Sequence, residues 1–378
     1  MKDTLKFKIC FYQSIYVTAL LAIFSNPSTA QVDSKATEET THLLNNLKSV
    51  KTLFGHQDDP VYGLNPDKSR WIDVEDKSDI KSIIGEYPAL MGYDLGHLEL
   101  GKSTNLDDVS FDKMKEYIIE QYERGGVSTL SWHPNNPLDI SKTTWDKVAA
   151  TIPTILNNKK ALRQYKKTFL KPLALFFKSL EAKSGEAVPV IFRPYHEHTG
   201  SWFWWGADYC SEEEYKAFWQ MTVDYFKKKR VHNVLYAYST DKFRSEEHYL
   251  ERYPGDDFVD ILGFDAYHRN APRSNDAFVQ SAKRMLATIK KLGLEKDKPY
   301  ALSETGLEQV TESNWWTNIV LSVLKDSGAS YILVWRNGRP DHFYAPYPGH
   351  SSELDFKKMA ESGEVIFEKG AKALGLYK

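Results

Sequence analysis

Glu197 and Glu304 are the two residues whose types and placement most clearly promise chemistry. Each closes an apolar, β-branched run: Pro189-Val190-Ile191-Phe192-Arg193-Pro194-Tyr195-His196-Glu197 and Pro299-Tyr300-Ala301-Leu302-Ser303-Glu304. A pair of carboxyl groups facing one bound group is what cleavage of a glycosidic bond requires. One must be protonated to serve the leaving oxygen, and the other must be ionised to attack the anomeric carbon. Their surroundings must therefore push their proton affinities apart. Glu197 precedes Trp202-Phe203-Trp204-Trp205, which would desolvate it and raise its pKa. Tyr267, at the end of another run, could donate a hydrogen bond to Glu304 and keep it charged.

Other chemistries are weaker. His196-Glu197-His198 contains an H-x-H pair that could chelate zinc, with His133, His268 or Asp265 as further ligands. The motif is short, and in a strand the two histidines would share one face while Glu197 points away. No second cluster of this kind accompanies it. A serine nucleophile lacks its G-x-S-x-G setting. Phe54-Gly55-His56-Gln57-Asp58 is not a glycine-rich phosphate loop. Neither a metal nor an organic cofactor is expected.

The chain holds 10 Trp and 22 Tyr. Tryptophan is seldom fully buried, so part of this set should line a cleft. Trp132, Trp202, Trp204, Trp205 and Trp335 stand nearest the candidate chemistry and could stack on sugar C–H faces. Arg336 could hydrogen-bond two hydroxyls in a fixed fork, or serve a structural ion pair.

These residues need a scaffold that gathers strand ends. Apolar runs recur at 50–57, 87–96, 125–133, 189–197, 233–241, 260–268, 299–306 and 330–337. Helical periodicity fills 111–124, 162–181, 211–230, 275–292 and 313–326, with Ser211, Asn275 and Ser313 as starts. Such alternation predicts a single (β/α)8 barrel, a TIM barrel, with the glutamates at the ends of strands 4 and 7 and its chemistry at the C-terminal ends of the strands. A doubly wound open sheet is the structural alternative.

Residues 1–30 resemble a cleavable export signal. Lys2, Lys6 and Lys8 precede an apolar run from Ile15 to Phe24, and Ser28-Thr29-Ala30 forms a small-x-small site. The catalytic domain is then 31–378, periplasmic or extracellular, with Cys210 its only cysteine and no intrachain disulfide. No other stretch is apolar enough to span a membrane, and none is expected to insert. Of the 378 residues, 49 are Lys or Arg and 51 Asp or Glu, a balance that gives no reason to expect a nucleic-acid partner. A monomer is expected.

Taken together, the motifs resemble glycoside hydrolase family 26, the mannanase family. Arg193-Pro194-Tyr195-His196-Glu197 with Gly200-Ser201-Trp202-Phe203-Trp204-Trp205-Gly206 carries most of the likeness. Phe54-Gly55-His56-Gln57, Ser131-Trp132-His133-Pro134, Gly263-Phe264-Asp265-Ala266-Tyr267, Ser303-Glu304-Thr305-Gly306 and Trp335-Arg336 add to it. The resemblance implies Glu197 as acid/base and Glu304 as nucleophile. It implies that His133, His196, Trp202, Tyr267 and Trp335 line the sugar sites at the cleavage point, with Arg336 one sugar further toward the non-reducing end. It implies a β-mannan or manno-oligosaccharide substrate, galactomannan included, and some relatives cut xylan or mixed-linkage glucan. A non-catalytic sugar-binding barrel would have replaced one glutamate, and both are present. Retention requires carboxyl groups about 5–5.5 Å apart. Whether cutting is internal or releases mannobiose from a chain end depends on a loop, 60–78 or 97–108, closing the cleft. The absence of an appended binding module leans toward end-acting cleavage.

Overall fold

The computed structural model describes residues 36–377, so the expected export signal lies outside the described residues. Eight parallel strands close into a barrel in chain order. They are β1 (Leu53–Gln57), β2 (Leu90–Asp94), β3 (Val127–Trp132), β4 (Val190–Pro194), β5 (Val234–Thr240), β6 (Ile261–His268), β7 (Tyr300–Leu307) and β8 (Tyr331–Val334). β8 pairs back onto β1, Leu53 lying opposite Tyr331. Closure excludes the open doubly wound sheet.

The two-residue period of a strand sorts every side chain to one wall or the other. Leu53, Leu90, Val127, Ile191, Leu235, Ala237, Ile261, Ala301, Tyr331 and Leu333 point into the barrel and form one buried cluster. Their neighbours Phe54, Met91, Leu130, Phe192, Tyr236, Leu262, Leu302 and Ile332 point outward and pack under the helices. Leu43, Leu44 and Leu47 of the helix Glu38–Leu47 join the inner cluster, together with Ala371 of the helix Glu368–Leu374. Those two helices pack where the strands begin, which leaves the opposite mouth for the site.

The expected helices are present with altered ends. Glu212–Lys228 opens with a capping box: Ser211 Oγ accepts from the Glu214 amide at 3.2 Å and Glu214 accepts from the Ser211 amide at 2.8 Å. Asn275 begins the helix Asn275–Lys296, but no side chain caps it. Ser313 lies in a turn before the helical segment Trp316–Leu324 and caps nothing. The helix expected over 162–181 runs from Lys159 to Lys178 and contains a widened turn at Lys166–Leu170. No helix among the described residues is long and apolar enough to cross a membrane.

Candidate active site

The inward parity of the barrel continues into its mouth. Counting by twos from the inner cluster reaches His133 after β3, Arg193 on β4, Ser239 and Asp241 on and after β5, Asp265 and Tyr267 on β6, and Trp335 after β8. β7 breaks the count. Phe264 pairs with Leu302, but Asp265 pairs with Glu304, so one residue of β7 is passed over. This bulge lets Ser303 and Glu304 both face inward. Ser303 Oγ lies 3.0 Å from Ser239 Oγ, while Glu304 meets Arg193 and Tyr267.

The turn after β4 is equally irregular. Tyr195 and Glu197 carry positive φ values of 48° and 52°. Left-handed backbone is uncommon for side chains of this size. It is held by the Glu197 amide donating to Ser239 O at 2.9 Å and by Tyr215 Oη donating to Tyr195 O at 2.9 Å. His196–Thr199 therefore do not continue the strand, and the face argument based on a strand fails. His196 packs edge-on against His133 at 4.5 Å, whereas His198 lies between Tyr215 and Tyr238 at 4.3 and 4.8 Å. The two histidines have different surroundings and form no common ligand pair. His268 also leaves the mouth, stacked on Phe278 at 4.6 Å. The donors that do approach one another, His196, Asp265 and Glu304, adjoin the Arg193 guanidinium, which bonds both carboxylates. The cation held at this point is the arginine.

A cavity of about 500 Å³ lies over these groups. Glu197, Glu304, His133, His196, Trp202, Tyr267 and Trp335 all line it. Glu197 is half-buried and takes a 2.6 Å hydrogen bond on Oε2 from the Trp202 indole. Burial raises its pKa well above the usual glutamate value, and the charges of Asp265, Glu304 and Asp241 add to this. Glu304 is surrounded by donors: Arg193 Nη2 on Oε1 and the Tyr267 hydroxyl on Oε2 at 2.8 Å. His133 Nδ1 lies 2.6 Å from Asp94 Oδ2. Burial pushes Asp94 upward, but His133, Ser131 and the Gly96 amide outweigh it and hold the carboxyl below its ordinary range. Burial, with Arg193 next, lowers His196 far below an ordinary imidazole, so its ring is neutral.

The aromatic platform is smaller than expected. Trp132, Trp204 and Trp205 are fully buried. Trp132 has outward parity and packs against Phe169 and Phe192. The Trp204 and Trp205 indoles donate to Pro134 O and His196 O at 3.0 and 2.8 Å, bracing the turns beneath the site. None of the three can meet a sugar. Trp202 and Trp335 remain in the cavity, and Trp145 joins them. Trp145 is 51% exposed and stacked over His133 at 5.7 Å. It sits in an irregular stretch after β3, where no periodicity marks it. Tyr344, Lys242 and Arg269 also line the cavity without having been singled out.

Arg336 lies beside the main cavity rather than in its wall. It pairs with Asp107 at 2.8 Å and donates to Tyr62 Oη at 3.3 Å. Tyr62 donates to Asp58 at 2.6 Å, and burial, followed by the Asp107 charge, pushes Asp58 up to about 8. The 60–78 loop, which holds the hairpin Tyr62–Leu64 and Arg70–Ile72, and the 97–108 loop thus converge on one arginine.

Similarity to known proteins agrees with this geometry. A mannan endo-1,4-beta-mannosidase of Bifidobacterium adolescentis is 30% identical over 88% of this chain and 35% of its own length. One from Caldalkalibacillus mannanilyticus is 27% identical over 85% of this chain and 59% of its own. The chain thus spans about a third and rather more than half of these two curated relatives. Among solved structures, a GH26 beta-mannanase from Bacteroides ovatus superposes with a TM-score of 0.85 and 44% identity, covering 90% of this chain and 98% of that one. An endo-beta-1,4-mannanase from Cellulomonas fimi gives 0.78 and 30%, covering 91% and 78%. The model of glycosyl hydrolase family 26 matches residues 32–304, and with the barrel and the paired rim glutamates this places the chain in that family.

Proposed function

We propose that this protein hydrolyses β-1,4-mannosidic bonds with retention of configuration, on mannan, galactomannan or manno-oligosaccharides. The observation that carries the reading is the opposite environment of two carboxyls facing one cavity. Glu197 lies in a setting that favours its proton, and Glu304 accepts hydrogen bonds on both oxygens.

In the first step Glu304 attacks the anomeric carbon while Glu197 gives its proton to the leaving oxygen. The Glu304–sugar bond forms as the glycosidic bond breaks. Loss of the proton leaves Glu197 ionised, ready to act as base. Water entering where the leaving sugar stood gives a proton back to Glu197 and attacks the same carbon, releasing Glu304. Two inversions restore the β configuration. The Trp202 indole supports Glu197 during its charged interval. His133, His196, Trp202, Tyr267 and Trp335 hold the sugars flanking the bond, and Arg336 binds the next sugar toward the non-reducing end. No step calls for a metal or cofactor.

The relatives' names point to mannan, and the test is reducing-sugar release from β-1,4-mannan, xylan and mixed-linkage glucan by purified residues 31–378. Mannan is expected to be cut fastest; a preference for either other glycan would keep the chemistry and overturn the substrate. Residues 1–30 are read as an export signal, which N-terminal sequencing of the exported protein tests by a start at Gln31. Cleavage of mannohexaose to mannobiose alone from the first minutes would mark an end-acting enzyme, and a spread of products an internal one.

A further inference from the structure

Asp265 touches neither the cavity nor the bond that breaks, yet three strands are arranged around it. Its carboxylate is fully buried on β6. Oδ2 accepts from Arg193 Nη1 on β4 at 2.7 Å, and Oδ1 accepts from Ser239 Oγ on β5 at 2.9 Å. The other arm of the same guanidinium, Nη2, bonds Glu304 on β7. The register shift in β7 produces this sharing, because it sets Glu304 rather than Ser303 opposite Asp265. A guanidinium holds two carboxylates at fixed spacing only when both lie in its plane at its two forks.

We propose that Asp265 is a positioning residue that sets the proton balance of the site: it takes half of the Arg193 charge away from Glu304 and, by its own negative charge, keeps the proton on Glu197. This rests on the assignment of those two glutamates and deepens it. Three carboxyls and one arginine meet at one point, Asp265 and Arg193 buried and Glu197 and Glu304 in the cavity wall, so the mutual repulsion of the carboxylates favours keeping one proton among them. Arg193 stabilises the charge on Asp265 and Glu304, so the proton goes to Glu197, the carboxyl without an arginine contact. The charged groups around Glu197 are Arg193 from β4, Asp241 and Lys242 from the end of β5, Asp265 and Arg269 from β6, and Glu304 from β7. Those facing Asp265 are Arg193, Glu197, Asp241 and Glu304, together with the neutral His196 ring and the Tyr267 and Tyr331 hydroxyls. Burial lifts Asp265 itself well above the usual aspartate range, with the Glu304 charge adding to the rise, and Arg193 and the Ser239 hydroxyl oppose it without cancelling it. If Asp265 carried the proton instead, replacing it with a neutral isostere would change nothing in the titration.

The test is the pH profile of kcat/KM on mannohexaose for the full mature chain and for Asp265→Asn. Removing the negative charge eases ionisation of Glu197, so the basic limb moves to lower pH. It also leaves Arg193 to Glu304 alone, so the acid limb moves the same way. Each limb is expected to shift by about one unit. Asp265→Glu, which keeps the charge, should return both limbs toward their wild-type positions even where its maximal rate is lower. A lower maximum with both limbs unmoved would show a merely structural role and overturn the proposal. Ser239→Ala covers the case in which Asp265→Asn does not fold. It weakens the Asp265 carboxylate, and the basic limb should move in the same direction by less; an unmoved limb overturns the proposal. Full activity in Glu304→Ala would instead bring down the assignment beneath it.

Discussion

The indole of Trp202 donates a hydrogen bond to Glu197 at 2.6 Å and also stands in the cavity wall with 37% of its surface exposed. In the proposed mechanism one side chain therefore serves both the sugar and the acid. The hydrogen bond opposes the rise in Glu197's pKa that burial imposes. Trp202→Phe keeps a ring and removes the donor, so Glu197 should hold its proton to higher pH. The basic limb of kcat/KM is expected to rise by about half a unit, solvent exposure trimming the full effect of a charge-assisted bond. Trp202→Ala should in addition raise KM. A basic limb that falls would contradict the assignment of Glu197 as the acid.

Glu197 is costly to the fold for the reason that makes it useful. Its proton affinity in the folded protein exceeds the unfolded value of 4.5. The folded state therefore binds more protons than the unfolded one above that pH, and stability falls as pH rises through the window. Glu197→Gln removes the ionisable group. Its melting temperature is expected to match wild type near pH 4 and to exceed it by a few degrees at pH 7 to 8. A variant less stable than wild type at pH 8 would mean that Glu197 is not desolvated.

Trp145 is the platform that the sequence did not disclose. Its exposed ring lies over His133, so Trp145→Ala should leave the fold unchanged. Loss of one stacking face is worth about 1.5 kcal/mol. A fall in kcat/KM of about tenfold on mannohexaose is therefore expected. An unchanged rate would mean that the ring faces no bound sugar.

Retention can be read directly from fresh product. Proton NMR of the first minutes of hydrolysis should show the β-anomer at the new reducing end, with mutarotation following. The carboxyl groups of Glu197 and Glu304 should lie about 5–5.5 Å apart in a crystal structure. The α-anomer appearing first, or a separation above about 6.5 Å, would indicate inversion.

The barrel was legible because strand runs and helical stretches obey different periods, and a closed parallel sheet follows from eight repetitions. Inward parity was legible too: it reaches His133, Tyr267 and Trp335 by counting in twos from buried positions. What the period could not reveal are its interruptions. The β7 bulge at Ser303–Glu304 and the left-handed turn at Tyr195–Glu197 depend on contacts made only after the strands assemble. Trp132, Trp204 and Trp205 misled because an aromatic beside a rim residue looks alike whether it faces the cleft or braces the turn below. Arg193 stood in plain view within a motif, but its two partners lie 72 and 111 residues away. Trp145 lies in a segment with no period at all.

The central claim is that Glu304 bears the sugar and Glu197 supplies and removes the proton. Glu197→Ala, incubated with a dinitrophenyl β-mannobioside, tests it most directly. That leaving group needs no acid, so the first step should proceed, while release without a base is slowed by about 10²- to 10⁴-fold. Intact-protein mass spectrometry should show one mannobiosyl adduct accumulating, peptide mapping should place it on Glu304, and added azide should discharge it as the β-mannobiosyl azide. An adduct on another residue, or a variant that turns over the ordinary oligosaccharide at the wild-type rate, would contradict the account.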